Sequence, residues 1–128
     1  MSKQIQFKQN GAGLLRIVKA FRCSMLGFKA AIIHESAFRQ ELLLCIILLP
    51  LSFVISSTLI EWTILIFSLL FLLFSEIVNS AIEALADRVS LEQHELLGRA
   101  KDLGSAGVFI ALVIVIIVWS VTIYSYFL

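Results

Sequence analysis

Ser105–Leu128 reads SAGVFIALVIVIIVWSVTIYSYFL and carries no charged side chain. About 20 apolar residues cross a bilayer as an α-helix, so this stretch sets the fold class. Two further segments have the same character. Leu42 to Ile60 is uncharged and is interrupted only by Pro50. Trp62 to Ser75 is uncharged, and a helix continued to about Ala86 takes in Glu76 and Glu83. The expected spans are therefore about 42–60, 62–86 and 105–128. Composition agrees: of 128 residues, 60% are hydrophobic and 15% charged, against about 45–50% and about 25% in soluble domains. A disordered chain, a coiled coil and a nucleic-acid arm are excluded, and no nucleic-acid partner is expected. One proline and six glycines favour helices over many short strands. Cys23 and Cys45 are too few and too isolated for a disulfide framework or a zinc site, and read as small apolar residues. The expectation is an all-α membrane protein, one domain over 1–128.

Charge sets the topology. Lys3, Lys8, Arg16, Lys19, Arg22, Lys29 and Arg39 precede the first span, and Arg88, Arg99 and Lys101 lie between the second and third. The link between the first two spans holds only Glu61. The positive-inside rule places the N-terminus and the 87–104 loop in the cytoplasm and the C-terminus outside. No apolar core follows Met1 and the basic residues continue to Arg39, so no signal peptide is expected there.

Residues about 12–33 are expected as an amphipathic helix. At 100° per residue, Leu14, Ile17, Val18, Phe21, Met25, Phe28 and Ile32 share one arc of about 100°, with Arg16, Lys19, Arg22 and Lys29 beside it. Such a helix lies in the membrane surface against anionic head groups, either as a simple anchor or as part of a site.

The chemistry lies in charges that a span does not need. Glu76, Asn79, Glu83 and Asp87 follow at i, i+3, i+7 and i+11 and form one polar stripe. At 1.5 Å rise per residue, Glu76 lies about 16 Å from Asp87 along the axis. A carboxylate at that depth is costly and must face another helix, a cation or a wet cleft. Three acids and an amide suit Mg²⁺, which takes a few carboxylates and phosphate oxygens. A cation path or polar glue between helices is the other reading.

In the loop, Ser90 and Gln93 are spaced as a capping box, so a helix is expected from near Leu91. On it His94, Gly98, Lys101 and Ser105 share a face. Lys101 suits a phosphate, and Gly98 would permit close approach. The bland alternative is a solvated loop with a lysine snorkelling at the third span. The polar run from His34 to Glu41 sits at the mouth of the first span, and Glu35 would join a cation site if the helices pack closely. Neither GxxxxGK[ST] nor GxGxxG occurs, and His34 and His94 lack a third metal ligand.

Glu76–Arg88, EIVNSAIEALADR, resembles the signature of the bacterial integral-membrane diacylglycerol kinases. Ala37–Glu41, AFRQE, and His94–Ala106, HELLGRAKDLGSA, match the same family. The resemblance runs from about Leu15 into the last span and is closer to the Gram-negative lipid kinase than to the Gram-positive undecaprenol kinases. It implies a homotrimer in the inner membrane, with three transmembrane helices and one surface helix per protomer. It also implies transfer of the ATP γ-phosphate to diacylglycerol, giving phosphatidic acid, with Mg²⁺.

By position, Glu76 matches the catalytic base, and Asn79 and Asp87 match polar residues of the same active site. Glu35 and Glu83 match the metal-holding carboxylates. Arg16, Glu92, Gln93, His94, Lys101 and Asp102 match nucleotide contacts, and Cys23 stands at the nucleotide site where relatives often have tyrosine. Ala37, Phe38, Arg39, Gln40, Glu41 and Ser105 match positions near the lipid, with Arg16 and Glu76 also on that side. His34 stands where asparagine is common. The rival readings are a polyprenol (undecaprenol) kinase and a non-enzymatic cation conduit.

Overall fold

The computed structural model describes residues 12–89 and 94–128. Among these, all regular structure is helical: α1 Leu14–His34, α2 Ser36–Ile55, α3 Leu59–Val89 and α4 Glu95–Phe127. The last three are long and apolar enough to cross a membrane. The chain is an all-α protein with three membrane-spanning helices behind one amphipathic helix.

The helices meet at short joints. Only Glu35 separates α1 from α2, and its extended backbone (φ −109°, ψ 104°) turns the chain. The Arg39 guanidinium reaches back across this joint. Its Nη1 donates to the carbonyls of Ile32 at 2.9 Å and Ile33 at 3.1 Å, satisfying acceptors that a helix C-terminus leaves free. The first span helix therefore starts at Ser36, so Ala37–Glu41 forms its opening turns. It runs through Pro50 without a break, a substitution that membrane helices tolerate.

The uncharged run 42–60 is not one helix. It breaks at Ser56–Thr58, because Thr58 and Glu61 build a cap. The Thr58 hydroxyl accepts from Glu61 N–H at 3.1 Å, and the Glu61 carboxylate accepts from Ser57 N–H at 2.8 Å. This is the S/T-x-x-E pattern of a helix start, so Leu59 and Ile60 belong to α3.

The core lies between α3 and α4, with α2 against both. Leu65, Leu69 and Leu72 from α3 meet Ala111, Val115 and Trp119 from α4, with Cys45 and Ile55 from α2. Spacings of three and four residues put each set on one helix face. Two indoles are tied across helices. Trp119 Nε1 donates to Ser68 Oγ at 3.2 Å, and Trp62 Nε1 to Ser52 Oγ at 3.1 Å. A polar group buried among apolar helices needs such a partner.

Helix α1 barely joins this core. Ala31 is its only buried residue. The apolar arc from Leu14 to Ile32 is uncovered in the protomer, with Leu14, Ile17, Val18 and Phe21 among its exposed members. An uncovered apolar face beside Arg16, Arg22 and Lys29 is the surface an in-plane helix presents to a bilayer.

Candidate functional site: a three-carboxylate cleft

Helix α3 carries the polar stripe as one unbroken element. Glu76 and Asn79 are buried, at 5% and 8% exposure, Glu83 is half-buried and Asp87 is exposed. The stripe thus runs from the packed interior of the helix group to its open end. Bonds along the helix order it. The Ser80 hydroxyl donates to Glu76 Oε1 at 3.5 Å, and Asn79 Nδ2 donates to Glu83 Oε1 at 3.3 Å.

A cleft of about 440 Å³ opens on this stripe. Its acidic wall is Glu76, Asn79 and Glu83 from α3, joined by Glu35 from the α1–α2 joint. Ser36 and Ala37 of α2 and Ser105 of α4 continue the rim. Val108, Phe109 and Leu112 form an apolar floor that extends toward the membrane-embedded part of α4. The joint is what brings Glu35 here. A continuous helix through residue 35 would carry α2 away from α3.

Among the described residues, three carboxylates line the cleft and no lysine or arginine does. Glu76 lies in the electrostatic field of both Glu83 and Glu35. Like charges gathered in a site of low dielectric call for a cation. Among the described residues no group of three His, Cys, Asp or Glu side chains is placed to hold a metal ion. Mg²⁺ does not require one, because it binds through one or two carboxylates and completes its shell with substrate phosphates and water. The hard oxygen donors of Glu35 and Glu83 therefore fit that ion.

The structure brings Glu35, Ala37, Glu76, Asn79, Glu83 and Ser105 together. The other candidates lie elsewhere in the protomer. Asp87 has left the cleft and pairs with Lys101, Nζ to Oδ1 2.6 Å. Asp102 is exposed on the next position of α4. Arg16 and Cys23 are exposed on α1. Phe38 is buried at 2% exposure, Arg39 holds the end of α1, and Gln40 is exposed. Glu41 Oε2 is buried without a hydrogen-bond partner. Glu92, Gln93 and the Ser90–Gln93 capping box lie outside the described residues, as do Lys3 and Lys8.

One expectation is corrected, that His94 shares a helical face with the residues after it. The expected helix start near Leu91 lies outside the described residues; α4 begins at Glu95, and His94 is extended and caps it. Its Nδ1 accepts from Leu96 N–H at 3.2 Å, so His94 does not share a helical face with Gly98, Lys101 and Ser105. Gly98 faces open space, with nothing within 4 Å of the point a side chain would take, and Gly104 instead packs against Asn79.

Three features of the site lie outside the residues singled out from the sequence. Ser80 follows Glu76 by four residues, a usable signal for a hydroxyl beside a carboxylate. Phe109 and Leu112 follow Ser105 by four and seven and extend its face. Gly104 carries no signal, because its role depends on which helix crosses it.

The family model for prokaryotic diacylglycerol kinase matches residues 22–123. The diacylglycerol kinase of Haemophilus influenzae is 49% identical over 107 residues, covering 84% of this chain and 91% of that protein. That of Escherichia coli K12 is 42% identical over 118 residues, covering 92% and 97%. That of Pseudomonas aeruginosa is 45% identical over 108 residues, covering 84% and 88%.

Proposed function

Since the chain belongs to the prokaryotic diacylglycerol kinase family and is a multi-pass lipid kinase, we propose that the three-carboxylate cleft is where the ATP γ-phosphate passes to the diacylglycerol hydroxyl. One observation carries this reading. Glu35, Glu76 and Glu83 converge on a cleft that has no basic residue among the described ones lining it, beside an apolar floor. The acidic wall suits a metal-bound polyphosphate, and the floor suits the glycerol end of a lipid.

In this reading Glu76 accepts the hydroxyl proton of diacylglycerol. The lipid oxygen forms a bond to the γ-phosphorus as the bond to the ADP oxygen breaks, giving phosphatidic acid and ADP. Phosphoryl transfer depends on positioning and charge neutralisation more than on covalent chemistry. Ser80 orients Glu76, and Asn79 orients Glu83. Glu35 and Glu83 would hold Mg²⁺, which when bound offsets the phosphate charge. Asp87 would set the position of Lys101 at the cleft mouth.

The remaining candidates would serve the nucleotide and lipid from around that mouth. Arg16, Cys23, Glu92, Gln93, His94, Lys101 and Asp102 would contact ATP. Phe38, Arg39, Gln40 and Glu41 would shape the lipid entrance with Ala37 and Ser105. Arg16 and Cys23 line no part of the cleft within a protomer, which favours a homotrimer whose neighbouring copy closes the site. The cations on α1 and around Lys101 favour an inner-membrane protein with its N-terminus and 87–104 loop cytoplasmic and its C-terminus periplasmic.

The test is transfer of labelled γ-phosphate from ATP to short-chain diacylglycerol and to undecaprenol in mixed micelles with Mg²⁺. Labelled phosphatidic acid that disappears on chelation is expected. Product from undecaprenol alone would change the lipid, and no product from either in folded protein would sink the reading.

A further inference from the structure

Helices α3 and α4 approach closely at Gly104. A Cβ placed there would overlap Asn79 Oδ1 and would sit 3.4 Å from Asn79 Cγ and 3.6 Å from Ile82 Cδ1. The backbone at Gly104 is ordinary helix, so conformational freedom does not explain a glycine. In a helix interior glycine is less favourable than alanine. The other glycines of α4, Gly98 and Gly107, have nothing within 4 Å of the same point. The missing side chain therefore matters at Gly104 because of what lies opposite.

What lies opposite is a buried carboxamide with two unlike ends. Asn79 Oδ1 has no hydrogen-bond partner, while Nδ2 donates to Glu83 Oε1 at 3.3 Å. A carboxamide is planar, with acceptor and donor on opposite sides. With Oδ1 lodged in the space at Gly104, Nδ2 is aimed along α3 at Glu83. A methyl group at Gly104 would displace Oδ1, and the rotation or retreat that follows would take Nδ2 away from Glu83.

We propose that Gly104 is a positioning residue of the transfer site: its missing side chain seats Asn79, and Asn79 thereby holds the Glu83 carboxylate on the cleft. The proposal rests on the kinase reading above. It gives an α4 residue that touches no substrate control over a carboxylate on α3. Misplacement of a reacting assembly by about 1 Å costs as much as roughly 10²-fold in rate.

The experiment uses the full chain in lipid–detergent micelles with Gly104→Ala, Asn79→Ala, the double variant and Gly107→Ala. Initial rates at varied Mg·ATP and thermal unfolding midpoints are read for each. Gly104→Ala should lower kcat/KM about tenfold or more, while Gly107→Ala stays within about twofold of wild type. In the Asn79→Ala background, adding Gly104→Ala should change kcat/KM by no more than about twofold, because groups acting through one another are not additive. Losses that multiply in the double variant, or wild-type kcat/KM in Gly104→Ala, would overturn the proposal. The midpoint should fall on Gly104→Ala with Asn79 present and hold with alanine at 79; equal falls in both backgrounds would overturn it. If Gly104→Ala does not fold, the double variant should, and its failure beside a folded Asn79→Ala would also overturn it. A wild-type chain that transfers no phosphate sinks the kinase reading instead, and the melting comparison still decides the Gly104–Asn79 contact.

Discussion

Lys101 Nζ stands 2.6 Å from Asp87 Oδ1 and ties the end of α3 to the start of α4 across residues 90–93. Both side chains are substantially exposed, at 40% and 60%, and exposed pairs contribute little to stability. The value of the contact lies in where it holds the ammonium group. Lys101→Ala should therefore leave the unfolding midpoint nearly unchanged. It should lower kcat/KM for ATP by roughly 10²-fold, the scale of removing one charge-stabilising group. Steady-state kinetics beside a thermal melt checks both halves, and an unaltered kcat/KM would reduce Lys101 to a topology signal.

Glu76 is the carboxylate closest to the packed interior of the cleft, and its proposed task is to accept a proton. Glu76→Gln keeps the shape and the Ser80 contact but cannot take the proton. Turnover should fall by about 10²–10⁴-fold, the usual contribution of a general base. Circular dichroism and the elution profile should match wild type. Turnover near normal in that variant would remove Glu76 as the base.

Glu35 and Glu83 come from different parts of the chain and reach the cleft through different devices, a one-residue joint and an Asn79 hydrogen bond. Glu35→Gln and Glu83→Gln each remove one hard oxygen charge. The Mg²⁺ concentration giving half-maximal turnover should rise in both variants. A magnesium titration that overlays wild type in both would refute the metal assignment.

Trp119 and Ser68 form a buried tie between the two best-packed helices. Trp119→Phe deletes the N–H and leaves most of the ring volume. Hydrogen bonds between membrane helices contribute about 0.6 kcal/mol on average and up to about 1.7, so the loss should be of that order in a reversible unfolding titration. The cleft does not include Trp119, and kcat should stay close to wild type. A large drop in kcat with unchanged stability would show that the tie serves the site.

Three spans and an amphipathic leader were legible because a bilayer imposes strong local demands. Apolar length, the clustering of cations and the arc from Leu14 to Ile32 are properties of consecutive residues. The stripe from Glu76 to Asp87 was legible for the same reason, since helical periodicity alone puts those residues on one face. The boundary at Ser56–Thr58 was also present, as Thr58-x-x-Glu61, but the uncharged run around it masked the cap.

Which helix faces which depends on residues far apart in the chain, and periodicity carries no information about that. Glu35 reaches Glu76 and Glu83 only through the bend at that residue. Lys101 is a lone cation in the sequence, and the fold sets Asp87 beside it. Gly98 and Gly104 are equivalent as letters, and only the crossing of α3 over α4 makes one an open position and the other the seat of a buried amide. Apolar length, periodicity and motif were enough for the number of helices, their membrane character and the family. The tertiary structure alone decided which charges share the cleft, because convergence of carboxylates depends on helix crossing and joint geometry, which no local pattern encodes.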